Sequence, residues 1–377
     1  MRTLVVSDLH LGIATHADVL RGARARDMLC ERLARGVDRL VLLGDTLELR
    51  HGPAREALLV AEPVLAELAD ALGPDAQVLL LPGNHDHSLL DAWTERRGRG
   101  PLEPLGLEQR CTPHQASPLA EALGRALGLA RTEVAYPGVW LRDDVYAMHG
   151  HYLDVHGGVP TVERLAAGVM GRLIGADDDA PHMTPEDYEA RLAPLYAWNH
   201  AMAQRAEAGR IAAGAGGSIR VWRLLTGGGR RPIRHRAVAA AFPLVVAALN
   251  RAGLGPLSAD LRGPELRRSA LVAVGEVQRR MGIAARHLVF GHTHRTGPLD
   301  GDDHGEWQGV PGTSLHNAGN WVYETHFMGA HPAGTSPYWP GGAVALDAEG
   351  PPRLERLLGG VPGHELAAAA GHGPREE

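Results

Sequence analysis

The chain has 377 residues, 44% of them hydrophobic, enough for one large domain or two smaller ones. Its formal net charge is −6 and all 38 basic residues are Arg, so bulk charge argues against a nucleic-acid binder. Cys30 and Cys111 lack metal-type spacing and are too few for a disulfide framework. No apolar run of about 18 residues reads as a membrane span. The first residues show no signal-peptide pattern, so a cytoplasmic protein is expected.

Residues 1–150 alternate short apolar runs with helical patterns. "TLVVSD", "RLVLLGD" and "QVLLLPGN" each end in Gly, Asp or Asn and read as buried strands of an α/β sheet. Residues 54–72 carry Leu58, Leu59, Val64, Leu65 and Leu68 at helical intervals, with Pro63 as a kink. "EVAYPGVWLRDDVYAMHG" predicts two strands joined by a turn at Asp143–Asp144. Residues 151–286 predict a helical insertion. Val162, Leu165, Ala166, Val169, Met170, Leu173 and Ile174 share one face of a helix capped by Thr161. Thr184 caps a second helix with Pro185 at its first position, and two more are expected near 234–250 and 264–281. "RHLVFGHTH" returns to strands, and 304–358 predicts short strands ending in the hairpin "GAVALDAEGPPRLERLL". Residues 1–150 and 287–358 are thus expected to form one discontinuous domain, and 359–377 a flexible tail.

The chemistry sits at the ends of the apolar runs. Asp8 and His10, Asp45, Asn84, His149, and His292 with His294 each follow one. In an extended segment residues i and i+2 point the same way, so each close pair can pinch one ion. The carboxyl ends of α/β strands gather at one edge, where ligands bind. This N and O set is too large for one tetrahedral ion and suits two ions sharing a bridging carboxylate. A lone strand-end Asp or turn His is more often a cap or a satisfied polar group; joint occurrence carries the metal reading.

The ordered set Asp8-Leu9-His10, Gly44-Asp45, Gly83-Asn84-His85-Asp86, His149 and Gly291-His292-Thr293-His294 resembles the calcineurin-like metallophosphoesterase family. The resemblance covers about 1–150 and 287–350 and implies an α/β/β/α sandwich of four layers with a helical insertion. It implies a dinuclear metal-dependent hydrolase of a phosphoester or diphosphate bond, acting through a bridging hydroxide. Asp8, His10, Asp45 and His294 would hold one ion, and Asp45, Asn84, His149 and His292 the other. Manganese is the first choice, with Fe, Zn, Ni or Co as alternatives. His85 would stand near the leaving-group oxygen, oriented by Asp86. Glu48 is expected to support its loop.

Substrate clues lie in the insertion. From Ala208 to Ala259 there is no acidic residue and there are eight Arg, among apolar runs. Arg230, Arg231 and Arg234, with His151, are candidate substrate contacts. An apolar, basic lid suits a lipid-linked or nucleotide-type phosphorylated substrate, or peripheral contact with an anionic membrane face. The closest look is to the UDP-2,3-diacylglucosamine diphosphatase-like branch, on "SDLHLG", "GDTLEL" and "NAGNWVYE", though that branch has Arg where this chain has His85. The alternatives are a nuclease acting on DNA or RNA, and a non-catalytic scaffold.

Overall fold

The structure, a computed structural model, describes residues 1–98, 104–205, 233–260, 263–328, 331–332 and 334–371, without the side chains of 233–241 and 326. The apolar runs form strands. β1 (Thr3–Val6), β2 (Arg39–Leu43) and β3 (Gln77–Leu81) pair in parallel. The C-terminal hairpin of β10 (Gly342–Leu346) and β11 (Arg353–Arg356) joins them, β10 lying antiparallel to β1.

β5 (Thr132–Arg142) is long enough to serve two sheets. Its start pairs with β3, Val78 opposite Thr132, and its second half pairs with β6 (Val145–Met148), Gly138 opposite Met148. Asp143 and Asp144 make the expected turn between them. From β6 the second sheet runs in parallel through β7 (His287–Phe290) to β9 (Ser314–Ala318), with β8 (Thr296–Gly297) at its edge. β4 (Glu108–Cys111) lies beside β5.

The period-two alternation of strands builds the layers. Leu4, Val6, Leu40, Leu42, Val78 and Leu80 meet helices Ala23–Ala34, Ala54–Leu72 and Pro118–Leu127. Val5, Val41, Leu43, Leu79 and Leu81 point the other way and meet Val139, Val145, Ala147, Val289 and Ala318 between the sheets. Tyr146, Met148, Leu288, Phe290 and Leu315 cover the far face against helices Pro185–Gln204 and Gly263–Met281. The result is helix, sheet, sheet, helix.

Three expectations change in detail. Leu59 is 74% exposed, and small Ala57 and Ala61 take the buried face of its helix; Pro63 sits inside an unbroken helix. Helix Val162–Leu173 is capped by Thr161 as expected, but buries Ala167, Gly168 and Gly171 and turns Val162, Val169 and Leu173 outward. Within the stretch expected to be a flexible tail, helix Gly363–Ala369 buries Leu366, and Ala370 is also buried. No described helix is long and apolar enough to cross a membrane.

Candidate metal centre

The polar residues leave their strands at one edge, and the backbone there is unusual. Asp8, His10, Asp45, His292 and His294 have φ of 56°, 46°, 51°, 66° and 57°. Non-glycine residues seldom adopt this left-handed region, and such conformations cost of order 1–3 kcal/mol each. The close pairs therefore share a side through successive left-handed turns, not through the extended backbone expected from the sequence. Strain of this kind persists where surrounding structure over-determines it, and it concentrates at functional sites.

The turns bring the side chains together around atoms that lack partners. Asp8 Oδ2 accepts from Ser7 Oγ at 2.6 Å and His292 N at 2.9 Å. Asp8 Oδ1 is buried without a hydrogen bond, 3.3 Å from His294 Nε2 and 3.8 Å from His10 Nε2. Those two ring nitrogens face each other at 3.0 Å. Asp45 Oδ2 lies 3.7 Å from His10 Nε2 and 3.2 Å from His149 Nε2, so it touches both halves of the cluster. Asn84 Oδ1 is 3.1 Å from His149 Nε2 and 3.1 Å from His292 Nδ1.

Asn84 tests whether this set fits cations. Its carbonyl oxygen faces Asp45 Oδ2 and two imidazole nitrogens, while its amide nitrogen faces the Arg50 guanidinium. Hydrogen bonding alone favours the amide turned round; a cation among these atoms favours it as it stands. Three groups, Asp8–His10–His294, His10–Asp45–His85 and Asp45–His149–His292, each hold ligand-type atoms within 4.8 Å of one another. The donor chemistry therefore fits divalent ions.

Electrostatics agree. Burial alone would raise the pKa of Asp45, but His149, His85 and His10 hold it well below the ordinary carboxylate range. Burial opposes a charged His149, yet Asp45 raises it to about 9. Protons on the rings compensate the buried carboxylates, and a divalent ion would displace them. Crowding explains two motif glycines. Gly44 has φ 84°, and a Cβ there would strike the His149 ring; one on Gly291 would strike Ser7 Oγ and Asp8 Oδ2.

Residues 1–187 match the family model for calcineurin-like phosphoesterases. A calcineurin-like phosphoesterase domain therefore covers this stretch, which implies metal-dependent phosphoester hydrolysis. The match runs past residue 150 into the first two insertion helices. No curated protein matches the chain.

Groups outside the cluster meet the far sides of its rings. Glu48, 1% exposed, accepts from His10 Nδ1 at 3.1 Å and from His85 Nδ1 at 2.8 Å through the same oxygen. Leu43 O accepts a hydrogen bond from His149 Nδ1 at 2.9 Å. Asp154 Oδ2 stands 3.2 Å from His292 Nε2. In His10, His149 and His292 the other ring nitrogen faces the centre. Asp154 lies outside every motif, and Glu48 carries more than loop support.

Asp86 does not orient His85. It is buried and accepts from the backbone N–H of Thr46 at 2.8 Å, Leu47 at 3.2 Å and Gly83 at 2.7 Å, so it ties two metal-site loops together. Burial, with the Asp45 charge, raises its pKa to about 6. His85 keeps a partly exposed side chain, and burial lowers it to about 4 against the pull of Glu48. His151 is not placed to meet a substrate. It is 2% exposed, stacks on Tyr136, and its Nε2 lies 3.2 Å from the Tyr136 hydroxyl.

The insertion reaches the site through Arg50. Its Nε donates to the backbone carbonyl of Asn84 at 3.2 Å, its Nη1 lies 3.3 Å from Glu163, and its guanidinium covers the Tyr196 ring at 5.3 Å. Glu163 and Tyr196 belong to the helices Val162–Leu173 and Pro185–Gln204. Arg230, Arg231 and the side chain of Arg234 lie outside the described residues.

Proposed function

We propose that this chain hydrolyses a phosphoester or diphosphate bond with two divalent cations. Asp8, His10, Asp45 and His294 hold one; Asp45, Asn84, His149 and His292 hold the other. The observation that carries the reading is Asp45 Oδ2, which stands within 4 Å of a ring nitrogen from each group. Two such ions would lower the pKa of bound water from 15.7 to roughly 7 and offset charge on the phosphoryl oxygens. The chain supplies the rest. Glu48 fixes the His10 ring, Asp154 places a carboxylate beside His292, and His85, held by Glu48 at Nδ1, turns Nε2 to the leaving-group oxygen. An anionic phosphoryl group beside His85 supports the proton it would donate.

Metal content tests the reading. Asp45→Ala is expected to lose both ions, because Asp45 serves both groups. Elemental analysis of a folded Asp45→Ala protein that still carries two ions would overturn the assignment. A panel of aryl phosphates, phosphodiesters, nucleotide diphosphate-linked lipids and single-stranded DNA, with manganese supplied, then separates a small-molecule phosphoesterase from a nuclease. A membrane-facing role is a second reading. It is favoured by Leu173, Ile174, Trp198, Leu244 and Val245, all exposed on the insertion.

A further inference from the structure

A cavity of about 270 Å³ opens beside the metal centre. It shares one wall with the centre, because His292 lines the cavity and also belongs to a metal-type group. The remaining wall is mainly carbon. Leu153 comes from the segment after β6, Leu266 and Leu271 from helix Gly263–Met281, and Phe290 from the end of β7. Trp307 adds an indole ring, itself 2% exposed.

Three arginines and the Asp154 carboxylate line this space, and two of the arginines are committed elsewhere. Arg295 donates to Asp302 at 3.0 Å and lies over the Trp307 ring at 5.2 Å. Arg267 donates to Glu306 at 2.9 Å. Arg164 is different. Its Nε donates to the Gly157 carbonyl at 3.0 Å, and among the described residues no carboxylate lies within ion-pair distance, although Asp178 acts on it from farther away. Burial lowers its guanidinium pKa, so the charge is held at a cost that an anion would relieve. A guanidinium fork left open beside carbon walls suits a planar or tetrahedral oxyanion.

We propose that this cavity binds the organic part of the substrate: an apolar, ring-bearing group with an anionic end of its own, seated at Arg164 while the scissile phosphoryl group sits beside His292. The proposal rests on the phosphoesterase reading and names its substrate class. A carboxylate and a second phosphate share the required chemistry. The cavity is near the lower end of small-ligand pockets, which run roughly 300–1,000 Å³, and is far from a duplex-wide groove.

Non-hydrolysable phosphonates test it by calorimetry on the metal-loaded protein. Methylphosphonate reads the metal centre alone, benzylphosphonate adds the ring, and 4-carboxybenzyl- and 4-phosphonobenzylphosphonate add the two kinds of anionic end. Affinity is expected to rise in that order. Arg164→Gln should weaken the two doubly anionic compounds roughly tenfold or more, the worth of a charged hydrogen bond, and leave the other two unchanged. Ala270→Trp, which fills the cavity from its lining, should weaken every ring compound and spare methylphosphonate. Ring compounds that bind no tighter than methylphosphonate, or an Arg164→Gln loss equal across all four, would overturn the subsite. The phosphoesterase reading fails in a different way, through absence of methylphosphonate binding and of hydrolysis of every ester. 4-Carboxybenzyl alcohol keeps the subsite testable even then: it has no phosphoryl group, and its binding, followed by ligand-observed NMR, should still fall in Arg164→Gln. Binding unaffected by that substitution counts against the proposal.

Discussion

His85 and Asp86 are adjacent in the chain and serve different parts of the site. Asp86 is spent on three backbone N–H groups, while His85 turns its ring to Glu48, from another loop. The reason is geometric: the turn after β3 points consecutive side chains in opposite directions, and only the fold shows which loop each one meets. The ligand-type residues were legible because an ion demands particular atoms, and those atoms leave a pattern of Asp, Asn and His after apolar runs. Glu48 and Asp154 left a fainter trace, since any acceptor can serve an imidazole N–H. This division gives a paired prediction. His85→Ala should keep its metal content and lose roughly 10²-fold or more on esters with poor leaving groups, with a smaller loss for nitrophenyl esters. Glu48→Gln should instead weaken metal binding by roughly tenfold or more, because His10 loses a charged partner. Metal titration of both variants, with rates on two leaving groups, separates the roles. Equal losses on both leaving groups in His85→Ala would remove the leaving-group role from that residue.

At the scale of elements, the strands that follow long apolar runs and the described insertion helices were legible, because period two and period 3.6 are imposed by burial itself, whereas the short strands Glu108–Cys111 and Thr296–Gly297 left no such run. What periodicity does not give is the side on which a neighbour lies. Helix Val162–Leu173 has the expected apolar stripe, yet the neighbours approach its Ala–Gly face, where a Cβ on Gly168 would crowd Leu254 and Arg164. Within the insertion, helix Pro185–Gln204 is held to the segment that follows β6 by a different contact. His156 Nε2 lies 2.8 Å from the Tyr188 hydroxyl, and Tyr188 stacks on Tyr152 at 4.7 Å. Burial, then Arg280, Arg164 and Arg191 against the opposing Glu276, lowers His156 from 6.5 to about 4. A depressed histidine is neutral when folded and takes a proton more readily when unfolded. Its contribution is therefore complete above about pH 6.5 and declines as pH falls toward 4. The full shift corresponds to about 3 kcal/mol, an upper bound for a half-buried ring. His156→Gln keeps a partner for Tyr188 and cannot titrate. Urea unfolding at pH 7 and pH 4.5 should show the native chain losing more stability on acidification than this variant; equal losses would assign the acid response to other groups.

Across the whole molecule, charge and apolar exposure are segregated onto the insertion. The stretch 208–259 carries eight Arg and no acid, so the rest of the chain carries a formal −14, from −6 minus +8. The insertion also leaves Leu173, Ile174, Trp198, Leu244 and Val245 exposed. Isolated exposed apolar residues need no explanation, but their gathering in one insertion with unbalanced positive charge does. An anionic lipid surface answers both features, since it offers phosphate to Arg and hydrocarbon to the apolar residues. The same insertion holds Arg50 through Glu163, and Arg50 donates to the backbone carbonyl of Asn84, a proposed metal ligand. The expected outcome is co-sedimentation of the metal-loaded protein with vesicles containing anionic lipid, weakening as salt rises. Replacing Arg230, Arg231 and Arg234 together by Ala should lower that binding and spare hydrolysis of a small aryl phosphate. Leu244→Ser should lower it through the apolar half of the contact, with less change in its salt dependence. Vesicle binding indifferent to all of these substitutions would leave the segregated charge as a solvated face.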